Sequence, residues 1–322
     1  MHRRGRPAPG PAALERSAAL SVGRGVSVPR SSVPYMDPIS TAALAAASKA
    51  AADGSSEGAK AASNLLTRLI GPSVDVIGAN WADKLREKNM QRLLDKTEKR
   101  AKAREDAGQD PGFANPRVAS QVFESAQYAD GEVVAEYLSG VLASSRNPEG
   151  ANDAGVAWST VVSRLSSDQL KLHYAIYASA RPVVIAKGFA RANEAHNLEL
   201  VLQLDALLLA AQLLPIEHMA DAIDGLMREG LIGDSYRYGS TDHVFAKKSA
   251  GNPEIAARYP HSNGLQVSLS VHGMRLFVWG NGAGNAGIEA YIDPSIVLEA
   301  TDPSLAPKLV PAYVVADILA AP

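Results

Sequence analysis

The 322-residue chain contains no cysteine. Disulfides, thiol nucleophiles, iron–sulfur clusters and cysteine-ligated zinc are therefore excluded. Aromatic residues are scarce, at 6%, while alanine is abundant. Alanine is the best helix former and adds little core volume, so the composition favours closely packed helices over a sandwich or barrel. Long apolar runs are also missing. The most apolar stretch, 198–214, is interrupted by Glu199, Gln203 and Asp205, which are costly in lipid, so no membrane span is expected. None of the seven histidines has H-E-x-x-H spacing, and Asp242-His243 alone is a weak pair, so no metal and no other cofactor is expected.

What the chain has is an uneven distribution of charge. The formal net charge is −2. Residues 1–36 hold six arginines and one glutamate, which leaves the remainder at about −7. Residues 1–35 read as a disordered basic leader of Arg, Pro, Gly and Ser. Pro7, Pro9 and Pro11 break any signal-peptide core, and translation is expected to start at Met36. A cytoplasmic location is expected. Residues 36–63 form an Ala-rich arm.

A helical region is expected over 64–162. Val74, Ile77, Trp81 and Leu85 recur at helical spacing, and Leu93, Leu94 and Ala101 extend the stripe, which predicts one long helix over 73–105. Its other face holds nine basic and three acidic residues between Lys84 and Arg104. Lys84, Lys88, Arg92, Lys96, Lys99 and Arg100 are the candidate contacts to nucleic acid or an acidic partner. The plainer alternative, which the sequence favours, is a solvated face with internal pairs such as Asp95 with Lys99. Two shorter helices follow near 116–128 and 131–145, the second with Asp130 as N-cap, and another spans 152–165. Ser166 and Gln169 make a capping box for the next helix, in which His173 reads as a hydrogen-bonded residue at the core edge.

A winged-helix-like region is expected over 163–282, followed by a tail over 283–322. The apolar stretch 193–213 is predicted to be helical. Pro215 opens a helix with Ile216, Met219, Ile223 and Leu226 at core spacing, and Gly230 closes it. A short strand is expected at 243–247. Leu265, Val267 and Leu269 alternate with polar residues as a half-buried strand, and Ser270 caps a last short helix. This gives a mainly α fold class, with a helical region ahead of a winged-helix-like module and its short β-hairpin.

The recognition helix of such a module approaches phosphates and base edges. Here it would carry Glu217, Asp221, Asp224 and Glu229 against Arg228 alone, and DNA would repel it. A protein-contacting or purely structural module is therefore favoured. A wing with Lys247, Lys248 and Arg258 keeps a nucleic-acid reading open. Two literal motifs lack their context. Gly54-Ser55-Ser56-Glu57-Gly58 has no strand before it, and the G-x-G-x-x-G at 282–287 has Pro294 in its would-be helix and no room for a βαβ unit.

The stretch GPSVDVIGANWADKLREKNMQRLLDKTEKRAK (71–102), the helix AEYLSGVLASS (135–145) and RLSSDQLKLHY (164–174) together resemble the abortive infection alpha family of bacterial proteins. The resemblance covers roughly a third of the chain, with LSVHGMRLFV (269–278) fitting more loosely. Where the family commonly has tryptophan-alanine, this chain has Glu136-Tyr137. These are packing patterns, and the resemblance implies a role in phage defence with no reaction or site to carry over. The expectation is a non-enzymatic protein that acts through a protein partner or by self-association. A winged-helix nucleic-acid-binding regulator is the alternative.

Overall fold

The computed structural model describes residues 66–71, 88–106, 112–129, 131–213, 215–245, 253–303, 305 and 310–320. The basic leader, the Ala-rich arm, Gly54–Gly58, the 73–87 part of the long helix, Asp130, Lys84, Lys247 and Lys248 lie outside these residues. The described chain is mainly helical, with two small sheets.

Among the described residues, a short helical stretch at 66–70 and four longer helices build the first half. α1 (Lys88–Asp106) buries Met90, Leu93, Leu94 and Ala101, the stripe that its spacing predicts. α2 (Pro116–Gln127) starts with proline in its first turn, and the Asn115 side chain accepts from Arg117 N at 2.9 Å. That removes one of the amides a helix start leaves unpaired. α3 (Glu132–Ser144) is buried along nearly its whole length and has Gly131 at its N-cap. α4 (Gly155–Arg164) follows. Between them, β1 (Phe113–Ala114) pairs antiparallel with β2 (Arg146–Asn147).

α5 (Ser167–Lys187) is the central helix of the second half. Its capping box is complete. Gln169 N donates to Ser166 Oγ at 3.2 Å, and Ser166 N donates to Gln169 Oε1 at 2.8 Å. Ser166→Ala is expected to cost about 1 kcal/mol, read as a shift in the urea midpoint at constant m-value.

The stretch 193–213, predicted to be one helix, is divided. It contains a 3₁₀ turn (Ala192–Ala195), the strand β3 (Glu199–Gln203) and the helix α6 (Leu204–Ala211). β3 pairs with strands on both sides, and Leu200, Val201 and Leu202 are fully buried. A strand buried on both faces reads as a continuous apolar run, and such a run has no periodicity that separates it from a buried helix. Gln203 then accepts from Ala206 N at 2.7 Å and starts α6.

α7 (Ile216–Arg228) buries Met219, Ala222, Ile223 and Leu226. Gly230 follows in the left-handed region at φ +65°, where glycine alone is comfortable. The next strand is β4 (Ile232–Ser240), ahead of the expected position at 243–247. There the chain forms α8 (Thr241–Val244), because the Ser240 side chain accepts from His243 N and turns the backbone. β4 hides from pattern reading because it lies at a sheet edge, with Asp234, Ser235, Arg237 and Ser240 exposed. α9 (Pro253–Arg258) precedes β5 (Asn263–Leu269), which buries Leu265, Val267 and Leu269 as their alternation predicts. α10 (Val271–Gly280) starts where Ser270 Oγ accepts from Gly273 N at 2.9 Å.

The described residues of the 283–322 stretch are built into the fold. β6 (Ala312–Val314) joins β3, and α11 (Val315–Leu319) follows it. The larger sheet is antiparallel throughout, in the order β4-β5-β3-β6. Arg181 on α5 donates to the carbonyls of Ala290, Tyr291, Asp293 and Ile296. The glycine-rich 282–287 loop follows a helix, α10, rather than the strand a dinucleotide site needs.

Both halves of the chain contribute to one hydrophobic core. His173, expected at the core edge, is instead fully buried between Tyr137 and Tyr177. Its Nε2 lies 3.1 Å from Gly273 O, which can only accept, so Nε2 carries the proton and Nδ1 accepts from Tyr137 Oη at 2.6 Å. Burial pushes the His173 pKa down to about 3. The ring is neutral in the folded protein and would charge near 6.5 in the unfolded chain. Its contribution to stability is thus complete above about pH 6.5 and is lost as the pH falls towards 3. In that window it adds a slope of about 1.4 kcal/mol per pH unit. Denaturant midpoints between pH 7 and pH 4 should show this slope reduced in His173→Gln.

Candidate functional site

α1 runs alongside α3, and two carboxylates, Glu132 and Glu136, lie one turn apart on α3. Lys96 Nζ is 3.0 Å from Glu136 Oε2, 3.1 Å from Glu132 Oε2 and 3.2 Å from Asp302 Oδ2. Arg92 Nε pairs with Glu132 Oε1 at 2.5 Å. Arg100 Nη2 pairs with Glu136 Oε1, and Arg100 Nη1 donates to Asn281 O at 2.7 Å. Glu136 also accepts from Thr301 N at 2.6 Å and from Thr301 Oγ1 at 2.9 Å. Arg104 donates to the carbonyls of Ala143 and Gly282.

Lys96, Arg100 and Glu136 are 5%, 8% and 1% exposed. Isolated charges are not tolerated at such depth, so each survives by pairing. Burial works to lower the Lys96 pKa, but Glu136, Glu132 and Asp302 outweigh it and hold the ammonium above its ordinary value. For Arg100, burial wins over Glu136 and its pKa falls.

Of the six candidate cations on the predicted long helix, Lys96 and Arg100 thus face the interior. Arg92 is half-buried beside Glu132. Lys88 and Lys99 are exposed, and Lys84 lies outside the described residues. A nucleic-acid surface needs its cations accessible, and the deepest two are committed to Glu136. Pattern reading missed Glu132, Glu136, Thr301 and Asp302. The available signal was two carboxylates at i, i+4 on a helix whose other residues are almost all apolar.

The second surface is the outward face of α7. Glu217, Asp221, Asp224 and Arg228 are exposed and follow one another at i, i+4, i+7 and i+11, a single stripe. Asp224 accepts from Tyr236 Oη, and this bond pushes the Tyr236 pKa up to about 12. Glu229 turns to Arg164 at 2.6 Å. Of the three wing cations, Lys247 and Lys248 lie outside the described residues. Arg258 donates to the carbonyls of Ile318 and Ala320 at the end of α11.

No family model, curated protein or solved structure matches the chain.

Among the described residues, no group of three or more His, Asp or Glu is placed to hold a metal ion. Among the same residues, no single helix is long and apolar enough to cross a membrane. The pair α6 and α7 passes that test only together, across an 85° bend. An open cleft of about 770 Å³ is lined by Arg191, Arg275, Ile288, Glu289, Ile292 and Asp293, among others. Its Glu289 is taken by Ala192 N at 2.9 Å.

Proposed function

We propose that this chain is a non-enzymatic, cytoplasmic phage-defence protein of the abortive infection alpha kind, acting through a protein partner that meets a winged-helix-like module. Two observations support the module. The order α5, β3, α6, α7, β4, β5, with the short helices α8 and α9 inserted between the last two strands, resembles that of a winged helix. The sheet order β4-β5-β3 has the hairpin at one edge and the first strand inside. The segment between β4 and β5, which would correspond to the wing, contains α8 and α9.

The acidic stripe on α7 carries the choice of partner. In a DNA-reading module this helix enters the major groove. Glu217, Asp221 and Asp224 would then face phosphates, at an unfavourable Coulomb energy that grows as the groove excludes water. The same stripe suits a protein surface with complementary charge. Of the cations that suggested a nucleic-acid contact, Lys96 and Arg100 are buried among Glu132, Glu136 and Asp302 and Arg92 pairs with Glu132, while Lys88 and Lys99 are exposed.

The defence role rests on the resemblance of 71–102, 135–145 and 164–174 to that family. Phage challenge of a bacterial host expressing the full chain, at low and high multiplicity, tests it. Protection at low multiplicity with death of the culture at high multiplicity is the expected result. Unchanged plaque counts across a broad phage panel would remove the reading.

A further inference from the structure

We infer that the outer edge of β4 is a docking site for an extended, basic segment of a partner protein, which adds to the sheet as a further strand; this deepens the protein-partner reading above and rests on it.

Among the described residues, β4 is at the end of the sheet and pairs only with β5. The ladder is regular from Tyr236↔Val267 to Ser240↔Asn263, with an irregularity between Ile232 and Tyr236. Among the described residues, the backbone bonds that lie outside helices and strands involve no residue of β4, and Ser240 at its end caps α8. Half the backbone donors and acceptors along such a strand point away from its neighbour, and an extended chain satisfies them by strand addition. The opposite edge is short by comparison, because β6 has three residues.

Charge selects the occupant. α7 packs against β4, and Tyr236 reaches Asp224 across that contact. Among the described residues, the exposed charges on α7 and β4 are Glu217, Asp221, Asp224 and Asp234, against Arg228 and Arg237. Four carboxylates against two guanidinium groups attract a basic strand and disfavour an acidic one. A second copy of this chain is disfavoured for the same reason, since antiparallel pairing of two β4 edges brings two acidic stripes towards each other. The partner's backbone would bind the edge while its lysines or arginines meet the α7 stripe. Tyr236 and Tyr238, stacked with ring centroids 6.1 Å apart, offer it an aromatic face.

The experiment uses the full chain and a fluorescent peptide of alternating valine and arginine. One control peptide has glutamate for arginine. A second keeps the arginines but has proline for alternate valines, which cannot pair as a strand. The expected result is salt-sensitive binding of the first peptide, weakened at least about tenfold in either control. Backbone amide exchange across Ile232–Ser240 should slow on binding. Glu217→Lys/Asp221→Lys, at two exposed positions, should weaken binding by a similar factor while leaving the denaturant midpoint in place. Equal binding of the proline peptide, no binding of the valine–arginine peptide, or unchanged exchange in β4 would each overturn the inference. Peptide binding by a chain that gives no phage protection would leave the edge site standing and remove the defence reading.

Discussion

Glu136→Ala should be among the most destabilising single substitutions in the described chain, at about 3–5 kcal/mol. Glu136 is 1% exposed and receives Arg100, Lys96 and both polar groups of Thr301. Removing the carboxylate leaves a guanidinium and an ammonium in the interior without their shared counter-ion, and leaves the Thr301 amide without its acceptor. The cost arises from breaking the pair, not from the worth of the pair itself. Replacing all three charged partners at once (Glu136→Leu, Lys96→Met and Arg100→Met) should therefore recover much of the loss, because apolar groups of similar volume carry no desolvation penalty. Chemical denaturation of the single and triple variants checks this. A triple variant as unstable as Glu136→Ala would mean that the network itself contributes net stability.

Gly140→Ala is expected to cost about 3 kcal/mol, in spite of the usual gain when alanine replaces glycine in a helix. α3 and α10 cross at this point, and a Cβ on Gly140 would lie 1.8 Å from Gly280 O. That neighbour is backbone and cannot move without shifting α10. Gly280 is pinned in turn, because its own Cβ would lie 2.4 Å from Tyr137 Cδ1. Gly225→Ala on α7 is the comparison. Its Cβ would meet the Gln169 side-chain amide at 1.7 Å, and that flexible group can swing away at the loss of one capping bond. Gly225→Ala should therefore cost clearly less than Gly140→Ala in parallel thermal melts.

Local signals were legible wherever one residue determines one bond. The Ser166–Gln169 capping box, the Ser270 cap, the Gly230 stop and the apolar stripe of α7 all appear as their residues predict. β3 was not legible, because burial on both faces erases the alternation that marks a strand. β4 was not legible because an edge strand at the surface needs few apolar residues, and its pairing with β5 is a long-range property. The site was the least legible part. A row of lysines and arginines on a helix looks the same whether it faces solvent or a pair of glutamates on another helix. The difference lies in Glu132 and Glu136, some forty residues on, and in Thr301 and Asp302, about two hundred residues on. Only the fold brings them together.

The claim that function passes through the acidic face of α7 and not through the basic helix is tested most directly by plaque formation. Hosts would express the wild-type chain, Glu217→Lys/Asp221→Lys, or Lys88→Glu/Lys99→Glu. All four positions are exposed, so both variants should keep wild-type stability. Loss of protection in the α7 variant with protection retained in the Lys88/Lys99 variant is the expected result. Protection that survives reversal of the α7 charges and disappears with Lys88 and Lys99 would contradict it, and would return the function to a nucleic-acid contact on α1.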